Sequence, residues 1–338
     1  MLTTKRNPTD TASISPVERL HALIASDMEE TDRLIHERMS SAVTTIPDLS
    51  RHLIDSGGKR LRPMLTLAAA HLNNYRGNGH VKLAAAVEFI HTATLLHDDV
   101  VDASSLRRGK VSANMVWGNK PSVLVGDFLF SRAFQLMVET GSIEVLDILS
   151  GASAVIAEGE VMQLRSANNL AVTEEQYLQV VAAKTAALFA AAAEAGALLS
   201  GASREGVAAM QAYGDNLGIA FQLVDDALDY SGRQALMGKS VGDDFREAKV
   251  TLPIILAVAR ADKAALTFWQ RSIEAGQQSE SDLDRAITLV EETGAIRDTM
   301  VRARAYADKA QAALGIMPKG DVRAALSDIA DFCVERAY

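Results

Sequence analysis

Long alanine-rich segments with few helix breakers constrain the fold of this chain more than any other feature. The segments LAAAVEFIHTATLLHDDVV and AALFAAAAEAGALL have high helix propensity and little of the alternation of a strand. Only 7 prolines occur in 338 residues, and Pro63, Pro121 and Pro253 each precede an apolar run, where proline can begin a helix. Several segments are apolar nearly all round, as in helices buried within a large bundle. The sequence therefore predicts an all-α protein.

The predicted helices follow one another along the whole chain. Their approximate ranges are 16–43, 48–55, 62–73, 80–103, 111–117, 121–139, 142–165, 173–200, 204–231, 249–260, 262–275, 280–293, 294–314 and 320–335. The length allows about two domains at ~150 residues each, but no linker rich in proline, glycine or serine divides the sequence. We therefore predict a flexible tail at residues 1–15 and a single domain at 16–338. That domain is expected to be one large helical bundle.

The composition excludes several classes of partner and compartment. The chain has 34 Lys+Arg against 43 Asp+Glu, a formal net charge of −9, and a dispersed acidic balance repels nucleic acid and anionic lipid surfaces. The single cysteine, Cys333, excludes an internal disulfide and fits a reducing cytoplasm. The most apolar window, Ala186–Leu199, is interrupted by Glu194 and is shorter than the roughly 18 residues of a membrane span. The N-terminal stretch lacks the apolar run of a signal peptide. We predict a cytoplasmic protein with no nucleic-acid partner and no membrane span.

One acidic motif, DDxxD, occurs twice. It runs from Asp98 to Asp102 and again from Asp225 to Asp229. On a helix the first and last acids of the motif lie about 40° apart on one face, so their carboxylates converge. Each copy follows an apolar stretch, HTATLLH or GIAFQLV, where carboxylates are costly unless they are paired, hydrogen-bonded or metal-bound. Because Mg²⁺ commonly bridges carboxylates to substrate phosphates, the two motifs predict a diphosphate held through Mg²⁺.

Two other interpretations of these acids are weaker. A single DDxxD could be a solvated helix end, but two copies in equivalent apolar settings disfavour that interpretation. A di-iron helical bundle needs paired Glu-x-x-His motifs, and the sequence has one, from Glu88 to His91.

Two basic clusters could meet the phosphates. The segment GGKRLRP, residues 57–63, is a glycine turn that runs into a helix begun by proline, so backbone N–H groups and three cations converge. The segment RRGK, residues 107–110, follows the first DDxxD, and guanidinium groups suit bidentate phosphate recognition. Either cluster alone could be ordinary surface charge. A Walker loop is absent from the sequence.

Seven motifs in order resemble those of the trans-polyprenyl diphosphate synthase family. They are GGKRLRP, LLHDDVVDASSLRRGK, VGDFLF, AEGEVMQL, KTAALF, FQLVDDALDYSG and GKSVGDDFREAKVTLP. The sequence is most similar to the long-chain octaprenyl and decaprenyl synthases of ubiquinone biosynthesis, over roughly residues 16–335. The resemblance implies the isoprenoid synthase fold, which is a single large bundle of mostly antiparallel helices around a deep central cavity. It also implies a homodimer and Mg²⁺ at about two to three ions per site.

The resemblance also implies roles for individual residues. It makes Asp98, Asp102 and Asp225 the Mg²⁺ ligands. It implies supporting roles for Asp99, Asp226 and Asp229, an isopentenyl diphosphate site of Lys59, Arg62, His91 and Arg108, and allylic diphosphate contacts from Arg107, Lys184, Thr185, Gln222, Lys239 and Lys249. All six aspartates, with Arg107 and Lys184, are the predicted catalytic residues. One departure is Ala248, where the family usually has glycine.

Small residues below the motifs bear on product length, since a growing polyprenyl tail needs an apolar tunnel. A helical wheel places Thr94, Val87 and Leu83 below Asp98, and Gly218 and Gly214 below Asp225, where small side chains are expected to leave room. The resemblance implies a chain-length gate at Ala93 and Thr94 and a tunnel floor at Met137 and Leu149. The wheel itself supports Thr94 and not Ala93, and a Met or Leu at helical spacing is commonly plain core.

The sequence thus predicts a prenyltransferase. The implied reaction adds successive isopentenyl diphosphate units to an allylic diphosphate, expected to be farnesyl diphosphate, and yields a long all-trans product for a quinone side chain. Product release could involve peripheral membrane contact. The alternatives are a shorter-chain geranylgeranyl or farnesyl diphosphate synthase, which the small residues before Asp98 disfavour, and a non-catalytic subunit of a heteromeric synthase, which the two intact DDxxD motifs disfavour.

Overall fold

A computed structural model describes residues 14–55, 57–107, 109–231 and 242–335. The helices of this part are α1 (Pro16–Leu23), α2 (Ala25–Arg38), α3 (Thr45–Ile54), α4 (Leu61–Leu72), α5 (Gly79–Val101), α6 (Ala113–Trp117), α7 (Asn119–Val138), α8 (Ile143–Ser166), α9 (Glu174–Val181), α10 (Ala187–Leu199), α11 (Arg204–Asp229), α12 (Asp243–Arg246), α13 (Leu252–Ala259), α14 (Lys263–Trp269), α15 (Asp282–Glu292), α16 (Ala295–Ala313) and α17 (Asp321–Glu335). Two π-helical segments, Ala182–Ala186 and Gln270–Glu274, and a 3₁₀ turn, Leu314–Ile316, complete the helical structure.

The described strands form one small hairpin. β1 (Leu106–Arg107) pairs antiparallel with β2 (Lys110–Val111), with Leu106 opposite Val111. The hairpin carries part of the second basic cluster and follows directly on the first DDxxD. The predicted all-α class is confirmed by this architecture.

Side-chain caps explain where several helices begin. Ser15 and Thr173 each form a capping box, with Glu18 and Gln176 respectively, at the starts of α1 and α9. Ser203 accepts a hydrogen bond from the backbone N–H of Gly206 at the start of α11. Such caps satisfy N–H groups that have no partner within the helix.

Helices α5, α10 and α11 form the centre of the molecule. α5 packs against α4 and α7, α10 packs against α4, α8 and α11, and α11 packs against α16. Buried side chains fall into two clusters, one around α10, α11 and α16 and a second around α5, α7 and α8. Both DDxxD motifs therefore lie at the ends of helices, α5 and α11, that the rest of the protein holds in place.

Glycines allow the backbones of α10 and α11 to approach closely. The prediction that Gly214 and Gly218 leave room for a growing tail is therefore wrong. A Cβ atom on Gly218 would lie 2.6 Å from the Cα of Ala186, and one on Gly214 would overlap the carbonyl of Phe189. The space below Asp225 is thus filled by the neighbouring helix. The wheel correctly shows small residues there but cannot show what packs against them.

Some predicted helix limits were wrong for local reasons. The helix predicted at 16–43 is interrupted at Ile24, whose side chain is buried in the cluster around α10, α11 and α16. Its second part, α2, ends at Arg38. Residues 40 and 41 are both serine, and Ser41 accepts the backbone N–H of Val43, a local bond that competes with helix continuation. The helix predicted at 111–117 starts at Ala113 because β2 uses residues 110–111.

The continuous helical segment Glu174–Leu199 comprises α9, the first π-helical segment and α10. By length and composition alone, it is long and apolar enough to cross a membrane. Its most apolar window is 72% buried within the protein. Burial at the centre of the bundle therefore accounts for its composition. The predicted tail, residues 1–15, lies outside the described residues except for Ile14 and Ser15.

Candidate active site

The first DDxxD places two carboxylates at the mouth of a cavity. α5 ends at Val101, and Ala103, with φ 50°, turns the chain away just after Asp102. Asp98 and Asp102 both line a cavity of about 390 Å³. The Nζ atom of Lys249 lies 2.9 Å from Asp102. Burial raises the pKa of Asp98, and nearby lysine charges oppose that effect.

The middle acid of this motif points into the protein. Asp99 is 0% exposed and accepts a hydrogen bond of 2.8 Å from Nε of Arg107. Asn114 donates to the backbone carbonyl of Asp99 at 2.9 Å. Arg107 itself lines the cavity of 390 Å³ and a second one of about 580 Å³. Asp99 therefore fixes the β-hairpin and orients a guanidinium that faces both cavities, while its own pKa is raised by burial.

In the second DDxxD too, the first acid lines a cavity and the next one is buried. Asp225 lines the larger cavity together with Asp98, so the two motifs meet across it. Asp226 is buried and accepts hydrogen bonds from the Tyr177 hydroxyl and from Nε2 of Gln222, the latter at 2.7 Å. Burial raises the pKa of Asp226 to about 7, and these two donors oppose the rise.

The last acid of the second motif acts on the backbone. Asp229 accepts N–H groups of Gly242 at 3.1 Å and Asp244 at 3.0 Å, at the start of α12. It caps that helix and ties the end of α11 to the segment that leads to Lys249.

A π-helical segment carries the next two predicted residues. Lys184 and Thr185 lie within Ala182–Ala186, and π-helical turns frequently occur at functional sites. Nζ of Lys184 donates to Glu160 and Gln163, both at 2.7 Å, and lies 3.8 Å from Asp98.

Two glycines from neighbouring helices make close contacts with the backbone of this segment. A Cβ atom on Gly159 of α8 would lie 2.8 Å from the backbone nitrogen of Lys184, and Gly218 of α11 contacts Ala186 on another side. The π-helical turn is therefore held by close packing, and it directs Lys184 and Thr185 into both cavities.

A chain of hydrogen bonds links this segment to the second motif. The Thr185 hydroxyl donates to Oε1 of Gln222 at 3.0 Å, and Gln222 in turn donates to Asp226. The chain ends at the Tyr177 hydroxyl.

Basic residues of the first cluster, with His91, also line the larger cavity. Lys59, Arg62 and His91 all line it, and NH1 of Arg62 lies 3.3 Å from Nε2 of His91. The Arg62 guanidinium stacks 4.3 Å from the ring centroid of Phe189. Arg60, in left-handed conformation with φ 48°, turns back to pair with Glu88 at 3.1 Å. Lys59 and Arg62, which flank the start of α4, therefore both line the larger cavity.

Sequence reasoning missed four residues of the site. Glu160 and Gln163 hold Lys184, Tyr177 holds Asp226, and half-buried Asp244 lines the smaller cavity. Glu160 and Gln163 are three residues apart on α8, and this i, i+3 spacing in AEGEVMQL was the available signal.

The donor set fits a hard divalent cation. Within the described residues, Oε1 of Glu160 is buried and has no hydrogen-bond donor. Burial, and then the charge of Asp98, raise the pKa of Glu160. The ammonium groups of Lys184 and Lys249 lie among the carboxylates of Asp98, Asp102 and Glu160 as positive charge. Carboxylate oxygens clustered beside a cavity are ligands that Mg²⁺ prefers.

Other predicted residues lie in different settings. Arg108 and Lys239 are outside the described residues. Thr94 lines the larger cavity, whereas Ala93, Met137 and Leu149 are each 0% exposed in the second core cluster and line neither cavity.

Ala248 stands where the family usually has glycine and adopts the left-handed φ of 52°. That conformation favours glycine, so the alanine is accommodated with strain. The turn it makes places Lys249 beside Asp102.

Comparisons with known proteins give consistent results. A family model described as polyprenyl synthetase matches residues 43–290. The octaprenyl diphosphate synthase of Escherichia coli (strain K12) is 45% identical over 320 residues, covering 95% of this chain and 99% of the relative. A solved decaprenyl diphosphate synthase from Rhodobacter capsulatus is 56% identical with a TM-score of 0.92, covering 96% of this chain and 100% of that one. A polyprenyl synthase from Caulobacter crescentus CB15, complexed with calcium and isoprenyl diphosphate, is 54% identical with a TM-score of 0.93, covering 96% and 99%.

Proposed function

Because the chain belongs to the polyprenyl synthetase family, we propose that it is a long-chain trans-polyprenyl diphosphate synthase with its active site between the two DDxxD motifs. It is a prenyltransferase with the isoprenoid synthase fold. Its substrates are an allylic diphosphate and isopentenyl diphosphate.

The observation that carries the site assignment is the mixed lining of the larger cavity. Asp98 and Asp225 line it together with Lys59, Arg62 and His91, and His91 lies seven residues, about two helical turns, before Asp98 on α5. The acids, with bound metal, suit the allylic diphosphate, and the basic residues suit a diphosphate bound without metal. Two diphosphates can thus be held in one cavity by different chemistry.

Charge stabilisation is the main task in the reaction. Mg²⁺ held by Asp98, Asp102 and Asp225 would neutralise charge on the leaving diphosphate. Arg107 and Lys184 add fixed positive charge at the same place, and preorganised charge of this kind contributes about 3 kcal/mol per donor. The allylic C–O bond breaks, and the electron pair leaves with the diphosphate.

The second substrate then supplies the new bond. Lys59, Arg62 and His91 orient isopentenyl diphosphate, whose double bond attacks the allylic carbocation. A C–C bond forms, and a proton is lost to the departing diphosphate. This scheme needs no side-chain nucleophile.

The product class follows from the relatives and from the cavity wall. The similar enzymes are octaprenyl and decaprenyl diphosphate synthases. Leu95, Ile156 and Phe221 line the larger cavity together with Thr94, and apolar lining of this kind suits a growing tail. We propose farnesyl diphosphate as the primer and a quinone side chain as the use of the product.

One assay tests activity and product length together. Purified protein is incubated with farnesyl diphosphate, isopentenyl diphosphate and Mg²⁺, and the products are analysed by mass. We expect polyprenyl diphosphates of long-chain class. In Asp98→Ala and Asp225→Ala variants, we expect turnover to fall by orders of magnitude. Products that stop at the geranylgeranyl stage contradict the long-chain assignment, and unchanged turnover in either variant contradicts the metal site.

We also propose that the protein is a homodimer in the cytoplasm. Among the described residues, thirteen of the eighteen exposed large hydrophobic side chains lie between Val101 and Leu164. Leu124 of α7 is 66% exposed and Ile143 of α8 is 70% exposed. Apolar surface concentrated in this way is typical of an interface between subunits.

A further inference from the structure

Three side chains from three helices meet at a place that the proposed reaction does not use. Asp27 lies in the first turn of α2, His71 in the last turn of α4 and His80 at the start of α5. Nε2 of His71 lies 2.5 Å from Oδ2 of Asp27, and Nε2 of His80 lies 2.9 Å from the same oxygen. One ligand atom from each residue falls within 4.8 Å of the other two.

The connection between α4 and α5 holds the two histidines in position. The backbone N–H of Asn74 donates to the carbonyl of His71, and Asn73 donates from its side chain to Ser200 at 3.0 Å. The Tyr75 ring packs edge-on against the His80 ring at a centroid distance of 5.3 Å. The imidazoles are therefore placed by the fold and not by their contact with Asp27 alone.

The cluster of Asp27, His71 and His80 is partly buried. His80 is 6% exposed. The side chains of Asp27 and His71 retain 22% and 34% exposure, so an ion could reach the cluster from solvent. No lysine or arginine is paired with Asp27 among the ion pairs of the described residues.

We propose that Asp27, His71 and His80 form a binding site for a transition-metal dication such as Zn²⁺. Two imidazoles and one carboxylate are a donor set that binds Zn²⁺ and related metals, with water at the remaining position. Zn–N bonds of about 2.0–2.1 Å place the ligand atoms of a tetrahedral site roughly 3.3 Å apart. The two distances to Asp27, 2.5 and 2.9 Å, differ from that spacing by less than 1 Å, and the imidazole ligand atoms lie within 4.8 Å of each other, so adjustments of about 1.5 Å or less reach it.

The site is separate from the reaction. His80 and Asp98 are 18 residues apart on α5, which corresponds to roughly 27 Å along a helix. A metal bound here would join α2, α4 and α5 and stabilise the end of the bundle remote from the cavities. The proposal does not depend on the proposed function.

Titration calorimetry tests the site directly. Chelator-treated protein is titrated with Zn²⁺ in excess Mg²⁺, in the wild type and in an Asp98→Asn, Asp102→Asn variant that lacks the first acidic motif. We expect one Zn²⁺ per chain in both proteins and a rise in the thermal unfolding midpoint. Co²⁺ should give visible absorption typical of nitrogen ligation in the same two proteins.

Matched variants identify the ligands. His71→Ala should lose Zn²⁺ binding and the Co²⁺ absorption, whereas His36→Ala, an exposed histidine on α2, should retain both. If the wild type binds no Zn²⁺, or if His71→Ala binds as tightly as the wild type, the proposal is wrong and the cluster is a hydrogen-bonded group only. A wild type that binds no Zn²⁺ overturns the proposal even if His71→Ala fails to fold.

Discussion

At the scale of single residues, the DDxxD motifs show that neighbouring acids have different tasks. Asp98 and Asp225 face the larger cavity, whereas Asp99 orients Arg107 and Asp229 caps α12. The i, i+4 spacing was enough to predict that Asp98 and Asp102 converge. Which acid turns inward depends on Arg107 and Tyr177, residues that belong to other elements, so spacing alone could not reveal it.

Thr94 and Ala93 should respond differently to the same substitution. Thr94→Phe places a ring in the larger cavity, which Thr94 lines, and we expect shorter products with little change in fold stability. Ala93 is fully buried, so Ala93→Phe should overpack the core and lower the free energy of unfolding by about 1–3 kcal/mol.

Product mass analysis and urea unfolding of the two variants separate these effects. A Thr94→Phe enzyme whose products keep the wild-type length would remove Thr94 from the gate. An Ala93→Phe enzyme that is as stable as the wild type would show that the core at this level can open.

At the scale of elements, the first π-helical segment is the part that the sequence could least predict. Its residues, AAKTA, contain no proline or glycine, and a continuous helix at 173–200 was the natural prediction. The physical cause lies outside the segment, in Gly159 of α8 and Gly218 of α11. The helix propensity of these residues predicts that the segment is helical. The change from α-helical to π-helical hydrogen bonds arises from packing against other helices, which local propensity does not describe.

Gly159→Ala should disturb catalysis through this segment. The added Cβ atom would lie 2.8 Å from the backbone nitrogen of Lys184, so Lys184 must shift. Because misplacement of a catalytic group by about 1 Å can cost on the order of 100-fold in rate, we expect turnover to fall by roughly 10- to 100-fold. Steady-state kinetics measure the effect.

Gly151 on the same helix provides the control. A Cβ atom there meets nothing within 4 Å, so Gly151→Ala should keep wild-type turnover and gain about 0.5–1 kcal/mol of stability from helix propensity. Equal turnover in both variants would show that Gly159 does not position Lys184.

The second π-helical segment leads into a loop fixed by an ion pair with a predictable pH response. Asp282 accepts two hydrogen bonds from Arg271, at 2.7 and 2.9 Å, and another from the backbone of Ser279. These donors hold the pKa of Asp282 well below its usual range. Its contribution to stability is therefore complete above the unfolded-state value of about 3.9 and is lost as pH falls through the lower folded-state value.

Thermal unfolding across pH tests this link. Asp282→Asn should have a lower midpoint than the wild type at neutral pH, and the gap should narrow below about pH 4. Asp284→Asn, an exposed position on the same helix, should show no comparable gap. A gap that stays constant to the lowest pH at which the protein folds would exclude the ion pair as its source.

At the scale of the whole molecule, the exposed apolar residues of α7 and α8 predict self-association. Leu124→Glu introduces charge on this surface and should shift the apparent mass from twice the chain mass toward 36.2 kDa. Ile316 has similar exposure, 65% against 66%, but lies outside this region, so Ile316→Glu should leave the mass unchanged. Light scattering coupled to size-exclusion chromatography measures both. A wild type that elutes as a single chain would contradict the proposed homodimer.

The net charge of −9 is also explained at this scale. Six of the 43 acids belong to the DDxxD motifs, and without them the balance is 34 − 37 = −3. Much of the acidic excess is therefore local to the candidate site, where Lys184 and Lys249 already offset part of it.

The glycine contacts between helices also bear on how freely this sequence can vary. Gly196 packs against the carbonyl of Thr66, Gly214 against that of Phe189, and Gly218 against Ala186. Backbone atoms cannot retreat as a flexible side chain can. In a library that randomises every position, these three sites should therefore accept almost nothing but glycine, although none of them lines either cavity. Intolerance to substitution in this enzyme would mark where helices touch as much as where chemistry occurs.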